Sequence, residues 1–430
     1  MTEQAAVLLF GETYHHPNVL YRSGFLAPDP VVVVDRGDGQ TTLWASPLEE
    51  GRARKESHVG EVRSTAEFDF ADKMRRAGSE QDGWAVLVTE VCRAHGLTEV
   101  NVEMDFPVLL ADHLRSNDVE VHPRADLYRR ERRIKTAQEV EWIVDAENAG
   151  MAALQRAIDI IAAADIRDGL LVHDGRNLNG ADLVFAVESH LLEQGFATEG
   201  SICCGGPESA DPHRASSDVV RAGLPIVLDI FPFHKYTRYW GDMTRTVARG
   251  TPPAAVMRMW EAVLEAQQAG LDAVKPGANG RDVHFACCEV FKRHGYGSLS
   301  RPYRDITSDA RFIHGTGHGL GLEIHEFPRI GRDHRGARPL RPGARRRAHR
   351  GPGRGHYGRL PQPHHAAEDV RARLIVRPDT LGAARRRGLH EPNAFLRPDG
   401  FRLTPRRSAS AGRCKARGKE VSDTWCATTS

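Results

Sequence analysis

The sequence predicts a two-domain α/β chain, on three observations. Its 430 residues are enough for two domains with buried cores. Residues 1–130 alternate short β-branched runs with amphipathic stretches, and from Arg132 onward helical periodicity alternates with two apolar β runs. Forty per cent hydrophobic and 27% charged residues are globular proportions, which sets aside the disordered and fibrous classes.

In the first domain, 1–130, the stretches 5–10, 31–35, 85–90, 99–103 and 119–122 read as strands, and 66–77 and 106–116 as helices. No polar constellation there converts into chemistry, so the expected role is to shape a cleft or mediate dimerisation. The second domain, 131–331, opens on a helix. Thr136 supplies an N-cap and Glu139, three residues on, its capping-box partner. Val140, Ile143, Val144, Met151, Leu154, Ile158 and Ile161 then keep one apolar face. Residues 183–194, 256–274 and 283–294 are further helices, 225–231 and 242–248 are β segments, and Pro276-Gly277 separates the last two helices.

A net charge of +2 conceals a sharp asymmetry. Residues 331–430 hold 22 Arg and 2 Lys against 8 Asp and Glu, a net +16, so residues 1–330 carry −14. Beyond Gly331 the periodicity stops, and Arg triplets (Arg345–Arg347, Arg385–Arg387) stand among scattered Pro and Gly. Such a composition offers too little apolar surface to offset its ordering entropy, so 332–430 is expected to be a basic, poorly packed tail. No basic leader opens the chain and no apolar run approaches membrane-spanning length, so no membrane association is expected. Seven cysteines without a CxxC spacing suit reduced thiols in a cytoplasm.

Two constellations carry chemistry. The first is Asp229, inside the apolar run Ile226–Phe231, with Asp242 at the head of a second run. A charge in such a run is costly unless paired or metal-bound. A hairpin centred on Lys235-Tyr236 sets Asp229 opposite Asp242, with Cβ atoms about 5 Å apart. Two carboxylates that close repel unless one is protonated or a cation lies between them, and bridging carboxylates suit a two-metal hydrolytic site. Two unrelated acids, one capping a turn and one bound to Arg245, explain the segment equally well. The second constellation, His314-Gly-Thr-Gly-His318-Gly-Leu-Gly-Leu-Glu-Ile-His325, shifts the balance. Its glycines argue for a tight loop entering a strand. A lone histidine on an apolar face is more often a core residue, but three in this setting suit metal binding, substrate binding or proton transfer. The loop 205–213, with His213, means little taken alone.

The strings LDIFPFHKYTRYWGDMTRT, HGTGHGLGLEIHE, ADPHR and VKPGANGRDVH resemble the aminopeptidase P, prolidase and creatinase family of metallopeptidases. The resemblance spans roughly residues 15–330 and is specific after residue 200. It implies a pita-bread C-terminal catalytic domain preceded by a smaller creatinase-like α/β domain. It also implies two divalent ions (Mn, Co or Zn) held by two Asp, one His and two Glu, a short peptide substrate and a homodimer. By motif match Asp229 and Asp242 correspond to the two Asp ligands and His318 to the metal histidine. His314 and His325 match histidines that contact substrate and help move protons, and His213 a substrate-side histidine.

The family's two remaining Glu ligands are expected after His325, and neither context is present as written. Glu368, in the one later Glu-Asp pair, is a weak candidate for the last. A one-base displacement of the codons for Arg345–Gly353 permits a string ending Thr-Val-Asp-Pro-Gly, close to the missing strand. With the swing in charge this suggests a shifted reading frame near residue 343, ranked above a natural basic tail or a diverged lineage. The expected activity is that of a metal-dependent Xaa-Pro aminopeptidase or dipeptidase working through metal-activated water, with this chain inactive or weakly metallated. A metal-free creatinase-like C–N hydrolase is the runner-up, disfavoured because Asp229, Asp242 and His318 are retained together. A nucleic-acid binder using the basic tail is the alternative from another class; the tail lacks interleaved aromatics and the body is acidic.

Overall fold

The computed structural model describes residues 5–37, 39–214, 217–308, 310–331 and 424–427. The described residues fall into two compact units, divided between Arg132 and Arg133. The sequence expectations for Glu368 and for the tail other than 424–427 lie outside the described residues.

The first unit is built on six strands, β1 (Ala6–Gly11), β2 (Val31–Asp35), β3 (Thr41–Ala45), β4 (Glu61–Ser64), β5 (Glu99–Glu103) and β6 (Glu120–Arg124). They lie in the order β4-β3-β2-β1-β5-β6. The β1–β2 and β2–β3 pairs are antiparallel and the other three parallel. Val31 to Val34 are all buried because the sheet is covered on both sides: Val32 and Val34 enter one core and Val31 and Val33 the other. Around the sheet run α1 (Pro17–Ser23), α2 (Glu50–Glu56), α3 (Phe70–Arg76), α4 (Glu80–Ala94), α5 (Val108–Arg115) and α6 (Arg129–Arg132).

One expected strand is corrected here. Residues 85–90 lie inside α4, not in the sheet. The run Ala-Val-Leu-Val has β propensity, but Trp84, Leu87, Val88 and Val91 are buried at helical spacing. The Ser79 side chain caps the helix by accepting from the Asp82 amide at 3.1 Å. Ser79→Ala is expected to cost about 1 kcal/mol, read as a lower urea midpoint at unchanged denaturant slope.

The second unit opens on α7 (Ala137–Ala163), whose capping box is made in full. The Glu139 amide donates to Thr136 Oγ1 at 3.2 Å and the Thr136 amide to Glu139 Oε2 at 2.7 Å. It continues with β7 (Asp165–Arg167), β8 (Leu170–His173), β9 (Arg176–Asn177), α8 (Gly180–Glu193), β10 (Phe196–Thr198), β11 (Ile202–Gly205), β12 (Ile226–Ile230), β13 (Pro232–His234) and β14 (Met243–Arg249). Then follow α9 (Ala254–Ala273), α10 (Gly280–Arg293), β15 (Gly297–Ser298), β16 (Arg311–Phe312), β17 (Gly317–Gly319), β18 (Glu326–Ile330) and β19 (Thr424–Ala427).

The sheet β11-β12-β14-β19 is antiparallel throughout. Its alternation decides which side chains are free for chemistry. Ile226, Leu228 and Ile230 of β12 and Met243 and Val247 of β14 enter a core with Ala146, Ala149, Ala153 and Leu154 of α7 and Leu183, Val187 and Leu191 of α8. Asp229, between two of those core residues, therefore points to the opposite face, as do Thr244 and Thr246. Thr424–Ala427, the part of the expected tail that the structure describes, pairs with the outer edge of β14. Its Thr-Trp-Cys-Ala sequence is β-prone, and that edge offers unpaired backbone groups.

Candidate metal centre

Asp229 and Asp242 share a face, but not as a directly opposed pair. The hairpin pairs Ile230 with Met243 and Asp229 with Thr244, and an isolated bridge joins Phe233 to Trp240. The expected register, Asp229 opposite Asp242, is thus displaced by two. A two-residue turn at Lys235-Tyr236 needs positive φ at Lys235, and at Tyr236 too in the type I′ form, which suits neither. The chain closes instead through four residues between His234 and Tyr239, with Arg238 at φ 63° and its amide donating to the His234 carbonyl at 2.9 Å. A shift of two preserves side-chain parity, so Asp242 becomes a diagonal neighbour of Asp229 on the same face. Thr244 takes the directly opposed place, and its hydroxyl donates to Asp229 Oδ1.

Asp242 is 1% exposed and His318, on β17, is 9% exposed. His318 Nε2 lies 3.1 Å from Asp242 Oδ2. Two ligands on metal bonds of about 2.1 Å at 90–109° stand roughly 3.0–3.4 Å apart, so this spacing fits one divalent ion between them. His325 packs edge-on against His318, ring centroids 4.5 Å apart. The His314 ring stands edge-on to Phe312 at 4.9 Å, with Nδ1 2.7 Å from the Gly315 carbonyl oxygen. His213 is exposed, its amide donating to Asp211 Oδ1 at 3.4 Å.

The structure brings Asp242 and His318 together, and Asp229 is engaged by the Thr244 hydroxyl. Among the described residues, the one group of three His, Cys or carboxylate ligand atoms mutually within 4.8 Å is Glu99, Glu120 and His122. There β5 and β6 set Glu99 opposite Glu120, and His122 Nε2 lies 3.3 and 3.5 Å from the two carboxylates. In that exposed trio the imidazole lies within reach of both carboxylates.

Sequence reasoning missed three buried groups around the site. The Asp242 amide donates to Glu147 Oε1 at 3.4 Å. Glu147 is 7% exposed on α7 and occupies the gap between Val144 and Met151 in the apolar stripe, which was its legible signal. Glu326 is 5% exposed, accepts from the Leu322 amide at 2.9 Å and lies 2.7 Å from Lys135 Nζ. These contacts tie β18 to the loop carrying His325, and a Cβ on Gly321 would lie 2.4 Å from Glu326 Oε1. The third is His284 of α10, fully buried, at helical spacing from Cys287 and Cys288.

Burial pushes the Cys203 thiol up to about 12, with Glu188 and Asp229 adding to the shift, and raises Cys288 as well. Cys92, Cys203, Cys204, Cys287 and Cys288 are all buried and outside any disulfide.

The profile of metallopeptidase family M24 matches residues 141–345. The chain is 28% identical to the Xaa-Pro dipeptidase of Pyrococcus furiosus over 317 residues, 73% of this chain and 78% of that protein. The solved structure of prolidase from Pyrococcus furiosus superposes with a TM-score of 0.60 at 25% identity, covering 79% of this chain and 86% of that one. An X-Pro aminopeptidase from Thermotoga maritima MSB8 shares the fold, with a TM-score of 0.59 at 23% identity, over 78% of this chain and 85% of that one. The pita-bread architecture behind an α/β N-terminal domain is that of these structures. Among the described residues, no helix is long and apolar enough to cross a membrane.

Proposed function

Since the chain belongs to metallopeptidase family M24, we propose that it is a metal-dependent Xaa-Pro dipeptidase in ancestry, holding one ion of a pair and hydrolysing slowly as written. The observation that carries this reading is the meeting of Asp242 with His318 at 3.1 Å, from strands 76 residues apart in the chain. Asp242 and His318 are the residues that would hold a divalent ion, with Asp229 the third donor once its carboxylate turns from Thr244. Glu368 is a weak candidate for a further donor, since this reading places it in the out-of-frame stretch. The mixed N/O donors suit Mn, Co or Zn. A divalent ion supplies Lewis acidity and a nucleophilic water to such a reaction.

The protein's own residues do the rest. His325, packed against His318, and His314, at the mouth of the same loop, orient the substrate and carry protons. His213 meets the substrate from the loop before β12. Glu326 holds the loop rather than an ion, since its two oxygens are engaged with Leu322 and Lys135. The short peptide is the substrate and a homodimer the proposed assembly. The reading takes 332–430 as out of frame, which nucleotide sequence across codons 340–350 checks directly.

The experiment is to load the full chain with Mn, Co or Zn, measure bound ion, and assay an Xaa-Pro dipeptide and a proline-containing tripeptide. At most one equivalent is expected, with slow dipeptide hydrolysis that a chelator abolishes. Restoring the displaced frame is expected to raise both occupancy and rate. Two tight equivalents on the chain as written, or hydrolysis indifferent to chelator, would overturn the reading.

A further inference from the structure

We propose that His284 is a positioning residue for the loop that carries His314 and His318, acting through Thr316 and Phe312. The proposal rests on the metal-site reading for its consequence, but the contacts themselves do not.

The His284 imidazole is buried completely, and both of its nitrogens meet hydroxyls from separate segments. Nδ1 lies 2.8 Å from Thr316 Oγ1 and Nε2 lies 2.6 Å from Ser300 Oγ. A neutral ring has one donor and one acceptor nitrogen, whereas each hydroxyl can play either part. In the neutral ring one hydroxyl donates to it while the other accepts from it. The network continues through Cys288, whose sulfur is 3.5 Å from both His284 Nε2 and Ser298 Oγ, and through the Ser300 amide, which donates to Ser298 Oγ at 3.1 Å.

Thr316 lies midway between His314 and His318 in the chain, and its own amide donates to the Ile330 carbonyl of β18 at 2.7 Å. One residue is thus held by β18 through its backbone and by α10 through its side chain. A second route runs through aromatic contacts. The His284 ring lies 5.2 Å from Phe312, and Phe312 lies 4.9 Å from His314. Histidine gives this position two directional contacts at a fixed separation, which no aliphatic residue of similar size reproduces. A merely space-filling role does not need both ring nitrogens engaged.

The test compares the full chain with His284→Leu, His284→Gln and Thr316→Val. Amide hydrogen exchange across 312–319 is read first, because it needs neither metal nor activity. His284→Leu and Thr316→Val are each expected to speed exchange in that segment about tenfold, leaving α7 and the β12–β14 pair unchanged. His284→Gln, which keeps one polar arm, is expected to recover most of the protection. Co(II) affinity and the visible spectrum of the Co(II) form are read second. Loss of about tenfold in affinity is expected for both disruptive variants, the scale found when groups orienting a metal-binding imidazole are removed. The double variant is expected to be no worse than either single one, as for residues in one chain of contacts. If His284→Leu does not fold, Thr316→Val and His284→Gln carry the test. Exchange in 312–319 unchanged within twofold, or accelerated equally throughout the second unit, overturns the proposal. If the unsubstituted chain binds no Co(II), the metal reading falls, and the exchange data alone decide the role of His284.

Discussion

Replacing Gly241 with alanine is expected to destabilise the second unit by about 3 kcal/mol, the upper part of the range for forced overpacking. A Cβ at this position would lie 2.7 Å from the Ala146 carbonyl carbon, 2.8 Å from the Glu147 nitrogen and 2.9 Å from the Ala146 oxygen. All three are backbone atoms of α7, so no side-chain rotation relieves the contact. The strand has little room to retreat, because the Gly241 amide donates to the Pro232 carbonyl at 2.8 Å and the Trp240 amide to the Gly321 carbonyl at 2.9 Å. Any relief must part α7 from the head of β14, and Asp242 moves with it. Urea unfolding followed by tryptophan emission reads the loss. Metal affinity is expected to fall in the same variant, whereas a change confined to stability would show that Asp242 keeps its place.

The second large effect is on Asp242 itself, and its sign depends on metal. Asp242→Asn is expected to weaken Mn, Co or Zn binding by at least about 100-fold, since it removes an anionic donor from a small ligand set. In the metal-free chain the same change is expected to leave stability equal or higher. It removes one of two carboxylates that share a face and are both nearly buried, Asp229 at 8% and Asp242 at 1% exposure. In the metal-loaded chain the variant is expected to be the less stable, because an ion binding only the folded state adds RT ln(1 + [L]/Kd). Thermal melts of both proteins, with chelator and with each ion, measure the crossing. Parallel melting shifts under the two conditions would exclude Asp242 from ion binding.

How much of this was legible in the sequence depended on whether the signal was local. Thr136 and Glu139 form a reciprocal cap within four residues, and the start of α7 follows from those two side chains. Residues 85–90 misled because four apolar residues satisfy both a strand and a buried helix, and the deciding Ser79 cap lies outside the run. The placement of Asp229 and Asp242 on one face survived an incorrect register because β parity is insensitive to a shift of two. Their direct opposition did not survive, since it depends on how the chain turns between His234 and Tyr239. Glu147 and His284 were overlooked for another reason. Each interrupts an apolar helical stripe, and a polar residue there is informative only when its distant partner, Asp242 or Thr316, is known. The strings that carried the family resemblance contain His284 yet give no hint of its two hydroxyl partners.

The contact between Asp242 and His318 has a kinetic consequence. It joins points 76 residues apart, whereas Asp229 and Thr244 are only 15 apart. Closing the larger loop costs about 4 kcal/mol of chain entropy by the logarithmic rule. The β12–β14 hairpin is therefore expected early on the folding route, and the two halves of the ion site late. An ion then finds its donors together only after the transition state is crossed, so it should slow unfolding while leaving the refolding rate nearly unchanged. Stopped-flow chevrons with and without Mn would show the unfolding limb lowered and the folding limb superimposed.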